Sequence, residues 1–208
     1  MSGSNPVFGL NTLGGSLAIQ TKSGFAFPGV SGRFSIGSFG QRSAQAEAGG
    51  HDEHQDYFIA ANAQNQTGWR EHATSQVRQA FVKSGWQDER TDIDIALALA
   101  DNTLEGAQAT PVSMLGQSLR QVYTWPDRTD NKMGFLTLRA SRYLRDDLLL
   151  AATAYARNLK QSLASSNIND SFSTLLPAGQ GNSPGFNDRV SIDQRMSGMA
   201  FQVTTDSR

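Results

Sequence analysis

Apolar residues recur in this chain at every second position, and that period limits what it can fold into. Asp92 to Asp101 reads Asp-Ile-Asp-Ile-Ala-Leu-Ala-Leu-Ala-Asp, which puts Ile93, Ile95, Leu97 and Leu99 on one side. From Tyr57 the odd positions Tyr57, Ile59, Ala61 and Ala63 are apolar. The even ones turn from Phe58 and Ala60 to Asn62, Gln64 and Gln66. Phe34 and Ile36 alternate with Arg33, Ser35 and Gly37, and Leu136, Leu138 and Ala140 with Phe135, Thr137, Arg139 and Ser141. A side-chain period of two belongs to a strand, whereas an amphipathic helix needs about 3.6. The best helical rival is Leu144 to Leu163, rich in good helix formers. Its Leu148, Leu149 and Leu150 would point all round a helix and leave no apolar stripe.

The alternating segments predict strands at 15–22, 30–39, 42–50, 55–66, 76–86, 91–101, 131–143, 147–160 and 191–204, with 119–125 as a candidate extension of the seventh. Their connections are of two kinds. Gly50 to Gln55, Gln87 to Thr91 and Arg145 to Asp147 are short; Thr67 to Ser75, Asn102 to Ser118 and Gln161 to Arg189 are long. After the first hairpin, short and long alternate. An antiparallel transmembrane barrel with tight turns on one side and long loops on the other has this asymmetry. A β-sandwich has the strands but no reason for one-sided loops.

Composition narrows the function classes. The net charge is −1, so the basic excess of a nucleic-acid binder is missing. There is no cysteine, which excludes a disulfide scaffold and thiolate metal sites. Hydrophobic residues at 38% are few for a packed core, and charged residues at 18% are few for a disordered chain. The longest apolar runs, Ile95 to Ala100 and Leu148 to Ala152, fall far short of the ~20 residues of a membrane helix. Gly-x-Ser-x-Gly, His-Glu-x-x-His and the phosphate-loop pattern do not occur. The chain is expected to be no enzyme and to carry no cofactor of its own.

The turns and loops add a family resemblance. Asn11-Thr12-Leu13-Gly14-Gly15-Ser16-Leu17-Ala18-Ile19-Gln20-Thr21-Lys22 resembles the end of the plug domain of TonB-dependent outer-membrane receptors. There Asn-Ala-Leu-Gly-Gly precedes a short strand ending in Thr-Lys. Gly37-Ser38-Phe39-Gly40 resembles the family's Tyr-Gly-Ser-Phe-Gly turn, and Thr67-Gly68-Trp69-Arg70-Glu71 its Asp-Gly-Trp-Arg-Asp loop. Ala100 to Gly106 and Thr124-Trp125-Pro126-Asp127 also fall where members carry similar text. The order and spacing of these motifs carry the resemblance.

It implies that residues 1–28 are the end of a plug and a linker. Residues 29–208 would be the N-terminal part of an all-β, antiparallel transmembrane barrel in the bacterial outer membrane. Such receptors have about 22 strands around a plug, so about eight barrel strands and one plug strand would be a fragment. The export signal, the coupling segment and the aromatic end of the last strand are not in the sequence. The intact protein would bind a scarce ligand, most commonly a ferric siderophore, and draw energy from the TonB complex.

Candidate sites follow from charge and aromatic side chains. Trp69 and Arg70 fall in an expected outer loop. One reading is ligand contact there, with Arg70 meeting an anionic chelate; the other is a cluster that structures the loop, and the family pattern favours it, since a shared loop motif cannot set individual ligand choice. Arg78, Arg139 and Arg157 are mid-strand and expected to face the lumen, because charge on the lipid face costs about 2–4 kcal/mol at the midplane. Arg142 has the opposite parity to Arg139 and is expected to reach the interface. Asn11, Gly14 and Gly15 mark the plug end, where two glycines permit a tight turn. His51-Asp52-Glu53-His54 with Asp56 has the residue types of a metal site and also the composition of a solvated turn; the turn is preferred and no metal is expected. Three rivals to the receptor stand open: a complete small barrel acting as an anchor or adhesin, an outer-membrane barrel lipase, and a soluble β-sandwich binding module.

Overall fold

The computed structural model describes residues 21–108, 110–177 and 182–205. Within them eight strands form one antiparallel sheet in chain order: β1 (Gly29–Ile36), β2 (Arg42–His51), β3 (Gln55–Gln66), β4 (Ser75–Gln87), β5 (Thr91–Glu105), β6 (Arg128–Arg145), β7 (Leu148–Ile168) and β8 (Gly185–Thr205). A single helical turn, α1 (Val112–Leu115), lies between β5 and β6. Strand length grows along the chain, from 8 residues in β1 to 21 in β7 and β8. The sheet is not closed: β1 and β8 are its two edges.

The predicted strands from 30 to 160 correspond to β1 to β7, and 191–204 lies within β8. The stretch Leu144 to Leu163 is strand on either side of a two-residue turn, and not helix. The long connection expected at 161–189 shrinks to 169–184, because β7 and β8 pair as far as Ile168 and Gly185. Residues 119–125 extend no strand. Their carbonyls are taken by a neighbouring loop: Glu71 N–H donates to Arg120 O (2.8 Å) and Arg70 Nη2 to Gln121 O (2.9 Å). Of the predicted strand 15–22, residues 21 and 22 are not strand and the rest lie outside the described residues.

Short-side turns are set by aspartates. Asp52 Oδ1 accepts the backbone N–H of His54 (2.9 Å) and Gln55 (2.7 Å). Asp88 Oδ1 accepts those of Arg90 (2.7 Å) and Thr91 (2.6 Å). A short polar side chain that mimics a backbone acceptor closes a tight turn. On the other side the β1–β2 loop closes by Gly37 N–H to Gln41 O (2.9 Å) and is pinned to the β3–β4 loop by Thr67 Oγ1 on Phe39 O (2.6 Å).

The fold is one layer thick, so it has almost no core. Phe58 is the one buried hydrophobic side chain among the described residues. A stable domain buries a sheet face against a second layer, and here the apolar face has none.

Candidate functional site

Directly opposed residues of an antiparallel ladder share a face, so the register sorts every strand into two sets. Face A carries Tyr57, Ile59, Ala61 and Ala63 of β3, Ile93, Ile95, Leu97 and Leu99 of β5, Leu150, Ala152, Ala154 and Ala156 of β7, and Met199, Phe201 and Val203 of β8. Face B carries a polar ladder. Asn62 Nδ2 donates to Gln79 Oε1 (3.3 Å), Gln161 Nε2 to Asn131 Oδ1 (2.8 Å) and Arg157 Nη2 to Gln194 Oε1 (2.7 Å). Two aromatic pairs, Phe58 with Phe81 and Phe135 with Tyr155, interrupt it.

The apolar set on face A forms a belt that crosses the strands obliquely. Followed from partner to partner, Ile36 aligns with Arg42, Asn65, Gln76, Thr103, Asp130, Ser162 and Ser191. Ile36 is the last apolar residue of β1 towards the long loops; its counterpart on β8 is Met199, eight residues past Ser191. Eight residues of about 3.3 Å across seven strand spacings of about 4.8 Å make a slope of about 38°. The lower edge runs from Val30, aligned with Ser197, to Val203, six residues further, a slope of about 30°. Strands of transmembrane barrels tilt by about 35–45°; the upper edge falls within that range and the lower edge just below it. Beyond the belt, towards the long loops, face A turns polar and charged.

Residues 21–28 run along face B at the short-turn end. Gly24 N–H donates to Asp56 Oδ2 (2.6 Å), and Asp56 is only 4% exposed. A Cβ on Gly24 would collide with the Gly50 and Tyr57 carbonyls, so glycine is required for this approach. Lys22 pairs with Glu47 (2.6 Å) and lies over the rings of Phe27 and Phe58. Glu47, Asp56 and Phe58 are all on face B. Beside them Lys83, also buried, pairs with Asp94 (2.8 Å), and Arg139 stands opposite Asp94. Asp56 as a hydrogen-bond acceptor and Lys83 were not singled out from the sequence. Their parity with Phe58 and Phe81 was the available signal, since charge between two apolar positions of one face points to an interior site.

Arg70 sits at the long-loop end. It donates to Gln108 O (3.0 Å), Gln121 O (2.9 Å) and Thr110 Oγ1, and stacks over the Trp69 ring (5.7 Å). Gln108 in turn reaches Ser165 Oγ (3.4 Å). The guanidinium thus ties the β3–β4 loop to the β5–β6 loop, the loop-structuring alternative, while Trp69 is half exposed.

The three mid-strand arginines do not share a face. Arg139 and Arg157 are on face B, opposite Asp94 and Phe135. Arg78 is on face A, opposite Ala63 and Asp101, which corrects the expectation that it joins them. The cost of charge on that face does not apply to it, because the belt ends at Ala80 and Arg78 stands beyond the edge. Asn11, Gly14 and Gly15 lie outside the described residues.

In the His51 to His54 segment the Asp52 carboxylate is occupied by turn N–H groups, and His54 Nδ1 lies 3.1 Å from Gln87 O. Among the described residues no group of three or more His, Cys, Asp or Glu is arranged to hold a metal. The backbone hydrogen bonds hold the Asp52 and Asp88 carboxyls below the usual carboxylate range. No family model matches the chain, and no curated protein is similar to it.

Proposed function

We propose that this chain is a wall segment of a TonB-dependent outer-membrane receptor, which takes up a scarce ligand of the ferric siderophore class. The observation that carries the membrane part is the oblique apolar belt on face A. A soluble sheet has no reason to stagger its apolar residues by the tilt of a barrel strand. The one-sided long loops point the same way, as does the lack of a second layer over that face. The receptor part rests on the order of the plug-end, hairpin and Trp69-Arg70 motifs. Residues 21–28 add to it, because they bring the chain onto the polar face, where a plug would lie. In this reading face B is the inner wall, Arg70 holds the mouth loops in place, and the exposed half of Trp69 is open to ligand.

The rivals fare less well on the same observations. A closed eight-stranded anchor needs β1 to pair with β8, and these are the two edges, of 8 and 21 residues. A β-sandwich needs a second sheet over face A, and among the described residues there is one sheet.

The chain has no cysteine, so single-cysteine labelling tests the belt cleanly. An environment-sensitive dye on Ile95→Cys should be quenched by brominated lipid, and one on Ala96→Cys by aqueous iodide. Iodide quenching at position 95 without lipid quenching would remove the membrane reading. The receptor part is tested in the gene. Flanking DNA should encode an export signal and plug on one side and about fourteen further alternating strands on the other. Clean start and stop signals without either would remove it.

A further inference from the structure

Correcting the position of Arg78 leads to a second site. A groove of about 640 Å³ opens at the upper edge of the belt across β3 to β7, lined mostly from face A. Its floor is small or apolar, at Ala80, Leu99 and Gly134; its rim carries Arg78, Lys132 and Lys160. The register sets Arg78, Asp101, Lys132, Lys160 and Asp193 in one cross-strand row, with Arg195 one step below beside Asn158. Four cations against two carboxylates leave two positive charges.

These cations are available. Lys132 and Asp101 are 3.6 Å apart and Lys160 and Asp193 3.9 Å, and all four side chains are more than half exposed. Long, exposed pairs of this kind contribute little. Arg78 makes no hydrogen bond or ion pair among the described residues. Nearby Arg128 differs: Asp130 (2.8 Å) and Glu105 (3.4 Å) already occupy it.

Height selects the occupant. Arg78 stands two residues above the belt edge at Ala80; Lys132 and Lys160 stand four above Leu136 and Ala156. On strands tilted as above this is about 5 Å beyond the hydrocarbon for Arg78, within the headgroup layer of about 5–8 Å, and about 10 Å for the two lysines, at that layer's outer edge. An anion there meets the planar fork of an arginine and two ammonium groups, while an acyl chain continues down over Leu99 and Leu97. We propose that this groove binds the phosphorylated headgroup of a single outer-leaflet lipid. The inference rests on the membrane reading above.

The test uses these 208 residues within the complete barrel that the flanking DNA should encode, in vesicles of zwitterionic lipid, with insertion checked by protease protection. Phosphatidic acid, a lipid with one phosphate monoester, is titrated in and bound lipid is read by native mass spectrometry. The triple variant Arg78→Gln, Lys132→Gln, Lys160→Gln should bind it at least about tenfold more weakly. The same charge change on face B, with Arg33→Gln, Arg139→Gln and Arg157→Gln, should change it less than about twofold. Equal losses in both triples, no loss in the first, or equally tight binding of free inorganic phosphate would each overturn the lipid site. If that complete barrel fails to insert, the membrane reading falls and this inference falls with it. If it inserts and the triples behave alike, only the inference falls.

Discussion

Val82 and Gln76 share strand β4 and share face A, six residues apart. Val82 lies within the belt and Gln76 above it. The difference between these two places runs through the whole sheet. In the belt, side-chain chemistry is dictated by what covers face A, and the two faces differ sharply. Above it face A is polar, and the strands persist on backbone pairing, cross-strand hydrogen bonds such as Thr103 Oγ1 to Asp130 Oδ1 (2.6 Å), and ion pairs. The same backbone architecture therefore continues from a region whose face A is apolar into one whose face A is polar.

Arginine placed at the two positions gives the largest contrast. Val82→Arg should cost about 2–4 kcal/mol of folding free energy in lipid vesicles, while Gln76→Arg stays within about 0.5 kcal/mol. Denaturant titration in vesicles reads both, and equal effects would dissolve the distinction between belt and extension. Next in size is face B, behind the belt. Asp56→Ala leaves the Gly24 N–H without its acceptor, a loss of about 1–3 kcal/mol. Trypsin cleavage after Lys22 should quicken correspondingly, and unchanged cleavage would mean that Asp56 does not hold residues 21–28. In the extension, Arg70→Ala should loosen the mouth only locally. Amide exchange at 106–121 should speed up about tenfold or more, as expected for a lost charge-assisted hydrogen bond, while the belt amides stay protected. The smallest effect is at the short turns. The Asp52 and Asp88 carboxyls are held below the usual range, so their contribution is complete above the ordinary carboxylate value. It is lost as the pH falls through the lowered one. Carboxyl chemical shifts should titrate at a lower pH than in an unfolded peptide, and midpoints at the ordinary value would show the turns to be unformed.

The comparison also explains what was legible in the sequence. Strands were readable where alternation between an apolar and a polar face exists, as in Asp92 to Asp101. It fades in Gln161 to Ile168 and Gly185 to Val190, where Ser162, Ser165, Ser166 and Asn167 occupy both faces. The ladder there is invisible without the partner strand. Arg78 was misplaced for the same reason. It has the parity of Ala80 and Val82, but reading it as mid-belt made the inner face look obligatory. The belt's slope could not be read at all, because it depends on register across all eight strands. The loop role of Arg70 needed the fold too, since its acceptors lie 38 to 51 residues away in sequence.

If the sheet is part of a barrel, as proposed, residues 21–28 set a lower limit on its circumference. At a tilt of about 38°, each strand takes about 6 Å of perimeter, and eight strands about 49 Å. Closed on itself, that ring would have a radius of about 8 Å, an interior filled by its own side chains or by one small ligand. Here an additional length of backbone is pressed onto face B, with Gly24 against Gly50 and Tyr57 and Lys22 across Phe27 and Phe58. A wall that houses main chain as well as side chains must curve more gently. The short coil on Asp56 is thus a spacer, and it fits a ring wider than these eight strands alone would close.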